Sequence, residues 1–337
     1  MKKKLFAALC VALGSVMLVG CNQASQKLQF NTNWSLNTMN DTPISTVETL
    51  TYEVDFVGTT FMQADYFSVA YCKDENGNDK LGSYVTTLEG KGDGYLYTTT
   101  LTLPVSYTFG GETVVFEDVI TTSVEFKNTK LSLTPVSSIK TIACHTPRNS
   151  KPSSIDGCYI DYSYSVTTTY NADCTTGTTV MLDTSEKGTL YDKKKFPNGQ
   201  TTEFSIDQEK YSYLDNEQLL FALRGLSNTS LATSKKVNVY NASKKMVQTV
   251  TITPETEDSE KYDFTVNGVA LPENTAIDYT PVQIALPKGA AQTLHYARTT
   301  DDANNTYRNV LLYMRVPVAY NIGYLEYSLK NAVFANN

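Results

Sequence analysis

Residues 51–56 read Thr-Tyr-Glu-Val-Asp-Phe, with apolar side chains at the even positions and polar side chains at the odd positions. Successive side chains of a β-strand point to opposite faces, so this alternation predicts a strand with one buried and one solvated face. Residues 120–126, 160–166 and 262–266 repeat the pattern. Because the pattern recurs along the chain, we predict a mainly β fold.

Turn signals lie between these segments at the spacing of β-hairpins. They are the glycine-containing pairs and clusters at residues 76–77, 90–94, 110–111, 187–188, 198–199 and 267–268. Threonine runs at residues 98–100 and 167–169 add β-branched side chains, which suit a pleated surface. Since hairpins join antiparallel neighbours, we predict a curved antiparallel sheet or an open barrel.

Residues 215–225 carry a helical pattern that interrupts the strands. Asp215 is suited to cap a helix N-terminus, with Gln218 three positions later, and Gly225 is suited to end the helix. The leucines that share one predicted face are Leu219, Leu220 and Leu223. A short apolar helix needs a surface to bury it, so we predict that it plugs the open side of the curved sheet.

The composition of the 337-residue chain, 41% hydrophobic and 19% charged, is typical of a globular protein. It excludes a disordered, a collagen-like and a multi-span membrane protein. The formal net charge is −7, and removal of the three lysines at residues 2–4 with an export signal takes it to about −10. Because an acidic surface repels phosphate backbones, no nucleic-acid partner is expected.

The N-terminus has the pattern of an export signal. Three lysines at residues 2–4 precede an apolar stretch at residues 5–19, which is shorter than the roughly 20 residues of a membrane span. Residues 18–21, Leu-Val-Gly-Cys, resemble the lipobox of bacterial lipoproteins at every position. The resemblance implies cleavage before Cys21 and attachment of acyl chains, such as palmitate, to that residue.

This signal divides the chain and assigns it a location. Residues 1–20 form the predicted lipoprotein signal peptide, 21–45 a tether and 46–337 the β domain, with a subdivision near residues 147–154 left open. Two or three acyl chains on Cys21 would hold the protein on the cell membrane or outer membrane, outside the cytoplasm. The alternative is an ordinary secretory signal that happens to end in a cysteine.

Outside the cytoplasm, the four cysteines of the β domain favour disulfide bonds. They are Cys72, Cys144, Cys158 and Cys174. Cys144 and Cys158 bracket the breaker-rich residues 147–154, so we predict a bridge between them that would contribute about 3 kcal/mol through chain entropy. Cys158 and Cys174 lie at opposite ends of a predicted strand, which disfavours their pairing. Four free buried thiols are the alternative.

Three motifs far apart in the chain match one known pattern. Residues 48–54 read E-x-L-x-Y-x-V, Asp215 precedes an apolar segment that ends in Leu-Arg at residues 223–224, and Pro317 precedes a Gly-x-Leu strand at residues 323–329. In these motifs the chain resembles a family of exported bacterial proteins known only as a domain of unknown function. The resemblance implies a curved sheet akin to the lipoprotein carriers of the envelope, and no chemistry.

The sequence contains no motif that names a reaction. Cys144 and His145 are adjacent on a predicted strand and face opposite ways, so they do not form a nucleophile and base pair. Residues 74–79 resemble a calcium loop but lack the required glycine and the closing glutamate. Without C-x-x-C spacing a zinc site is also unsupported. We therefore predict no catalytic residue, no metal, no cofactor and no enzymatic activity.

The predicted function is binding at the cell envelope. Leu219, Leu220 and Leu223, together with Tyr162 and Tyr164 on one face of a predicted strand, are candidate linings of a concave cleft. Such a cleft would hold an apolar or lipid-like ligand or a peptide. The alternative is a surface adhesion or glycan-binding β-sandwich that stacks sugar rings on the tyrosines.

Overall fold

The computed structural model of the chain describes most of the predicted β domain. The described residues are 28, 30, 48–58, 68–71, 80–129, 133–148, 152–185, 198–209, 211–226, 233–242, 245–273, 275–285, 291–297, 309–318 and 323–334. Residues 1–21, with the lipobox, and Cys72 lie outside these ranges.

Strands dominate the described residues. The first nine are β1 (Glu48–Gly58), β2 (Ser68–Tyr71), β3 (Gly82–Lys91), β4 (Gly94–Phe109), β5 (Glu112–Asn128), β6 (Leu133–Pro147), β7 (Tyr159–Tyr170), β8 (Thr176–Asp183) and β9 (Thr201–Ser205). The others are β10 (Ser212–Asp215), β11 (Lys235–Asn241), β12 (Met246–Pro254), β13 (Asp258–Lys261), β14 (Thr265–Val266), β15 (Val269–Ala270), β16 (Ala276–Ala285), β17 (Gln292–Ala297), β18 (Leu311–Pro317) and β19 (Gly323–Phe334). The mainly β prediction is confirmed.

The helical segments whose bounds the structure describes lie before β7 and between β10 and β11. A 3-10 turn at Ile155–Gly157 precedes β7. Between β10 and β11 lie a 3-10 turn (Asn216–Gln218), the α-helix α1 (Leu219–Ala222) and a second 3-10 turn (Leu223–Gly225). None of the described helices is long and apolar enough to cross a membrane.

The strands form one curved sheet. Its hydrogen-bonded order is β9-β8-β7-β6-β5-β4-β3-β1-β19-β18-β17-β16-β12-β11-β10. Most neighbours are antiparallel, as the hairpin spacing predicted. The pairs β10–β11 and β14–β19 are parallel, so the sheet is mixed. These two pairs differ from the prediction because no hairpin joins their strands.

The concave face of the sheet carries the core. In β1, Leu50, Tyr52 and Val54 are buried while Asp55 is exposed, as the alternation of residues 51–56 predicted. The hydroxyl of Tyr52 donates a hydrogen bond of 2.8 Å to the carbonyl of Leu311 at the start of β18. Strands from the two ends of the β domain therefore enclose one interior.

The two edges of the sheet, β9 and β10, meet without a backbone pairing between them in the described residues. Instead, the hydroxyls of Ser138 in β6 and Tyr170 in β7 donate to Oδ2 of Asp215 at 2.7 and 2.5 Å. Phe204 of β9 stacks on Tyr240 of β11, with ring centroids 3.7 Å apart. We call this contact region, formed by these five residues, the seam. The curved sheet is therefore not closed by backbone hydrogen bonds in the described residues, as expected for an open barrel, and side chains bridge its two edges.

Candidate functional site

The segment after β10 begins as its sequence predicted. Oδ1 of Asp215 accepts a hydrogen bond of 2.8 Å from the backbone N–H of Glu217, and the side chain of Gln218 accepts one from the N–H of Asp215. The amide of Gln218 also donates to the carbonyl of Leu133, at 3.0 Å. The capping box therefore fixes the helix start and ties it to β6 as well.

The end of the helix differs from the prediction. Gly225 is the last residue of a 3-10 turn and does not cap an α-helix, and α1 spans only four residues. The chain forms a 3-10 turn there, in which Arg224 is held by hydrogen bonds to Glu48 and Asn309. Tertiary contacts thus override the local ending signal.

The helix fills the interior of the sheet, as predicted. The ring of Phe221 packs on Tyr97 and Phe126, with centroid distances of 5.0 and 5.4 Å. Leu219 and Leu223 are buried in the same core. The concave face is therefore plugged by aromatic and aliphatic packing.

A buried ion pair fastens the helix to β1. The Nη1 and Nη2 atoms of Arg224 donate to Oε1 and Oε2 of Glu48, at 2.5 and 2.9 Å. Nε of Arg224 donates to the carbonyl of Asn309, at 3.1 Å. Burial alone would lower the pKa of Arg224, but the Glu48 carboxylate outweighs it and raises that pKa. Arg224 therefore stays charged inside the barrel.

Sequence reasoning missed this pair, although a signal was available. Glu48 falls on the same parity as Leu50, Tyr52 and Val54, which places a carboxylate on the buried face of β1. A carboxylate at such a position needs a buried cationic partner. Both partners also belong to the motifs that carry the family resemblance.

A cavity of about 180 Å³ lies between the start of the helix and the concave face. One wall is polar and includes Thr99, Thr122 and Glu217. The two threonine hydroxyls bond each other at 2.7 Å, and each carboxylate oxygen of Glu217 accepts from Nζ of Lys140 at 3.1 Å. These groups satisfy one another and form a prearranged polar wall.

The rest of the lining is mainly apolar, with Gln292 of β17 beside Ile284. It includes Leu219 and Leu220 of the helix, Val250 of β12 and Ile284 of β16. Leu219 and Leu220 were predicted to line a cleft, and they do line this cavity. Leu223 is not among its lining residues and packs in the core.

The volume of the cavity limits what it can hold. Typical pockets for drug-sized ligands have about 300–1,000 Å³, so this cavity is smaller. It is large enough for several waters or a small organic fragment. A small molecule fits, or one end of a larger ligand.

Tyr162 and Tyr164 lie on β7 and are not lining residues of this cavity, although burial and, to a smaller extent, the charge of Glu217 raise the pKa of Tyr164. Their rings stack on each other with centroids 6.0 Å apart, and both are half-buried. Tyr162 is opposite Cys144 in the register of β6 and β7. Neither tyrosine lines the cavity, so the structure separates them from the helix leucines with which the sequence grouped them.

Asp215, which accepts both hydrogen bonds of the seam, has a fully buried carboxyl group. Burial raises its pKa to about 6, and the charge of Glu217 adds to that effect, whereas hydrogen bonds from Tyr170 and Ser138 oppose it. The carboxyl group is therefore poised to change protonation in mildly acidic solution. It lies two residues before Glu217 of the cavity wall.

Among the described residues, His145 and Cys144 have different partners. Nδ1 of His145 lies 2.8 Å from Oδ1 of Asp118, and its ring stacks on Phe116 at 3.7 Å. Burial, with a smaller effect of Asp118, raises the pKa of Cys144 to about 12. Its thiol therefore stays protonated near neutrality and is a poor nucleophile.

Cys144, Cys158 and Cys174 are free buried thiols in the structure. In the register of β6 and β7, Cys144 lies opposite Tyr162, and the N–H of Arg148 donates to the carbonyl of Cys158. Cys144 and Cys158 are thus four positions apart along the hairpin, about 13 Å. A disulfide needs Cα atoms within about 7 Å, so the predicted bridge would require the hairpin to shift.

Groups of histidine, cysteine, aspartate and glutamate arranged to hold a metal ion are absent from the described part of the chain. The calcium-like residues 74–79 lie outside it.

Comparison with known proteins identifies a fold and no activity. No family model matches the chain, and no curated protein matches it. It is similar to the crystal structure of a β-barrel-like protein of the domain of unknown function DUF1849 from Brucella abortus, with a TM-score of 0.50 and 8% sequence identity. The match covers 87% of this chain and 99% of that chain.

The two chains therefore share a β-barrel-like fold. At so low an identity the likeness extends to the fold alone. It agrees with the sequence resemblance to an exported domain of unknown function, since both point to the same kind of architecture.

Proposed function

We propose that the protein is a lipid-anchored binding protein of the bacterial cell envelope. In this proposal it holds a small amphipathic molecule, or the apolar end of a lipid-like ligand or peptide, in the cavity beside the helix. The observation that carries the proposal is this cavity, whose lining combines polar and apolar side chains. The protein acts by binding and not as an enzyme.

The lining residues of the cavity indicate which kind of ligand would fit. Leu219, Leu220 and Ile284 would contact an apolar body, while the hydroxyls of Thr99 and Thr122 can donate to or accept from a polar end. Burying each methylene contributes about 0.8 kcal/mol, so a chain of four contributes about 3 kcal/mol. The volume excludes a complete acyl chain of a membrane lipid from this cavity.

Native mass spectrometry of the mature protein purified from membranes tests the proposal. We expect a bound small molecule that is lost in Ala285→Phe, because Ala285 lines the cavity and a phenyl ring would fill it. Ala143→Phe is the matched control, since Ala143 is exposed on β6 and lines no part of the cavity.

A purified protein can lose its ligand, so a titration with 1-hexanol is the second arm. We expect hexanol to shift the methyl NMR signals of Leu219 and Leu220 in the native protein and in Ala143→Phe, but not in Ala285→Phe. The absence of both a bound mass and a hexanol response, or an equal response in Ala285→Phe, would refute binding in this cavity.

The anchor has its own test. The lipobox at residues 18–21 motivates the expectation that Cys21 incorporates labelled palmitate in bacterial cells and that Cys21→Ser does not. Fractionation should place the native protein in a membrane fraction. A native protein found in the cytosol with residues 1–20 intact would end this part of the proposal.

The glycan-binding alternative on Tyr162 and Tyr164 gains no support from their geometry. Their rings face each other and are half-buried, with the Cys144 thiol close to Tyr162. Each ring therefore has little free face for a sugar. Loss of glycan binding in Tyr162→Ala would revive this alternative.

A further inference from the structure

The carboxyl group of Asp215 connects three parts of the fold. Its Oδ1 atom accepts a hydrogen bond of 2.8 Å from the backbone N–H of Glu217 at the helix start. Its Oδ2 atom accepts from the hydroxyls of Ser138 in β6 and Tyr170 in β7, at 2.7 and 2.5 Å. Three donors suit an ionised carboxylate. The residue is only 2% exposed, however, so ionisation places a charge away from water.

The strands on the two sides of the seam are held together by side chains. β10 has its backbone pairing with β11, and β9 has its pairing with β8. Beside the hydrogen bonds of Asp215, the hydroxyl of Thr179 donates to that of Tyr240 at 3.0 Å, and Phe204 stacks on Tyr240. The seam can therefore open locally while the strand pairing on either side stays intact.

The same groups have a second hydrogen-bond arrangement when Asp215 is protonated. The ring of Tyr213 lies beside that of Tyr170, with centroids 5.8 Å apart, and its buried hydroxyl makes no hydrogen bond of normal geometry among the described residues. Burial and the charge of Asp215 raise the pKa of Tyr213, while Tyr170 is close enough to oppose them. A protonated Asp215 would donate to the Tyr170 hydroxyl, which could then donate to Tyr213.

The other titratable or charged groups around Asp215 lie on β6, β7, β10, β11, the helix start and the turn before β8. They are Lys140, Tyr170, Tyr213, Tyr240, Glu217 and Cys174. Burial raises the pKa values of the three tyrosines and of the thiol, so these four groups stay neutral in acid. Lys140 and Glu217 form an ion pair at 3.1 Å.

We propose that Asp215 is a pH-dependent latch, which holds the seam when it is protonated and favours separation of β7–β9 from β10 and β11 when it is ionised. In the closed seam the protonated group carries no buried charge and satisfies the Tyr213 hydroxyl through Tyr170. Opening admits water to the ionised group and removes the cost of burying its charge. The latch is a property of the fold, so it does not depend on what the cavity beside the helix binds.

The direction of the pH effect follows from the closed state. Burial raises the pKa of Asp215 to about 6 in the closed seam, against an ordinary 3.8 when the group is exposed. The stabilisation of the closed seam is therefore complete below pH 3.8 and is lost as the pH rises through 6. Between pH 4 and 7 the equilibrium constant for opening should rise about fiftyfold.

Hydrogen–deuterium exchange of the mature full-length protein, measured by mass spectrometry, tests the latch. At pH 7, peptides from β9 and β10 should exchange faster than peptides from β1. Asp215→Asn is the reference, because it keeps the size of the side chain without its charge. Relative to this variant, the opening of β9 and β10 should show the fiftyfold rise between pH 4 and 7. The comparison cancels any titration of Glu217 and Lys140, which both proteins retain.

Tyr213→Phe tests the second hydrogen-bond arrangement. It removes the acceptor that the protonated state uses, and one hydrogen bond corresponds to about tenfold in an equilibrium. Measured against Tyr213→Phe combined with Asp215→Asn, the rise should shrink to less than about tenfold. Tyr324→Phe is the matched control, because Tyr324 is an exposed tyrosine of β19, and it should keep the full rise.

The inference is overturned if the ratio of native protein to Asp215→Asn stays constant with pH, or if β9 and β10 exchange no faster than β1. It is also overturned if Tyr213→Phe behaves like Tyr324→Phe.

Discussion

The buried ion pair between Glu48 and Arg224 makes the sharpest prediction about stability. Their side chains are 11% and 4% exposed, and two hydrogen bonds join them at 2.5 and 2.9 Å. Glu48→Gln keeps the shape of the side chain and removes its charge. The guanidinium group would then be left as an uncompensated charge in the core, since its other hydrogen bond goes to a neutral carbonyl.

The expected loss in the free energy of unfolding follows from the burial of the pair. Removing one partner of a buried ion pair typically costs 3–5 kcal/mol, because the remaining charge is neither solvated nor neutralised. Whole domains are stable by about 5–15 kcal/mol, so we expect Glu48→Gln to lose a large part of the total. Arg224→Met should be costly for the same reason, whereas the double variant should lose less than the sum of the two.

Urea unfolding followed by far-UV circular dichroism measures these differences for the native protein, both single variants and the double variant. Glu117→Gln is the control, because its ion pair with Lys80 is exposed on both sides, and we expect no measurable change. A loss below about 1 kcal/mol in Glu48→Gln, or strict additivity in the double variant, would refute the reasoning.

Asp215, Gly177 and two cysteines each give a further prediction. The raised pKa of Asp215, about 6 against an ordinary 3.8, means that its contribution to stability is present below pH 3.8 and is lost as the pH rises through 6. Relative to Asp215→Asn, the native protein should therefore lose about 2.5 kcal/mol between pH 4 and 7 in urea titrations, and parallel curves would contradict this. Gly177→Ala should lower stability by about 1–3 kcal/mol, because the new methyl group would collide with Phe204, and an unchanged thermal midpoint would argue against that packing. Cys144 and Cys158 should react with iodoacetamide only after unfolding, as measured by mass spectrometry, and a mass two daltons lower without any reaction would instead establish the bridge.

The strands and the helix start were accessible from local patterns. Tyr52 and Val54 alternate with polar neighbours, and Asp215 precedes Gln218 at the spacing of a capping box. These features depend on residues two or three positions apart, whose relative directions are set by the backbone itself. The structure accordingly confirms the mainly β fold and the position where the helix begins.

The helix end and the parallel pairs were not accessible in this way. Gly225 carries a local ending signal, yet the chain there follows the contacts of Arg224 with Glu48 and Asn309. The pairing of β10 with β11 depends on how the chain returns after the helix. Such outcomes are decided by packing, which local propensity does not describe.

The candidate sites divide in the same manner. The sequence singled out Leu219 and Leu220 as lining residues, but it did not connect them with Thr99, Thr122 or Glu217, which form the polar wall.

The sequence by itself determined an alternating β chain and a capped apolar helix, because each is encoded by neighbouring residues; the export signal stays a prediction of the same local kind. Only the tertiary structure decided that Glu48 meets Arg224 across 176 positions, that Asp215 links β10 to β6 and β7, and where the cavity beside the helix lies. The physical reason is that the effect of a charge, a hydroxyl or a cavity depends on the groups that lie opposite it. Curvature and register of the sheet bring those partners together.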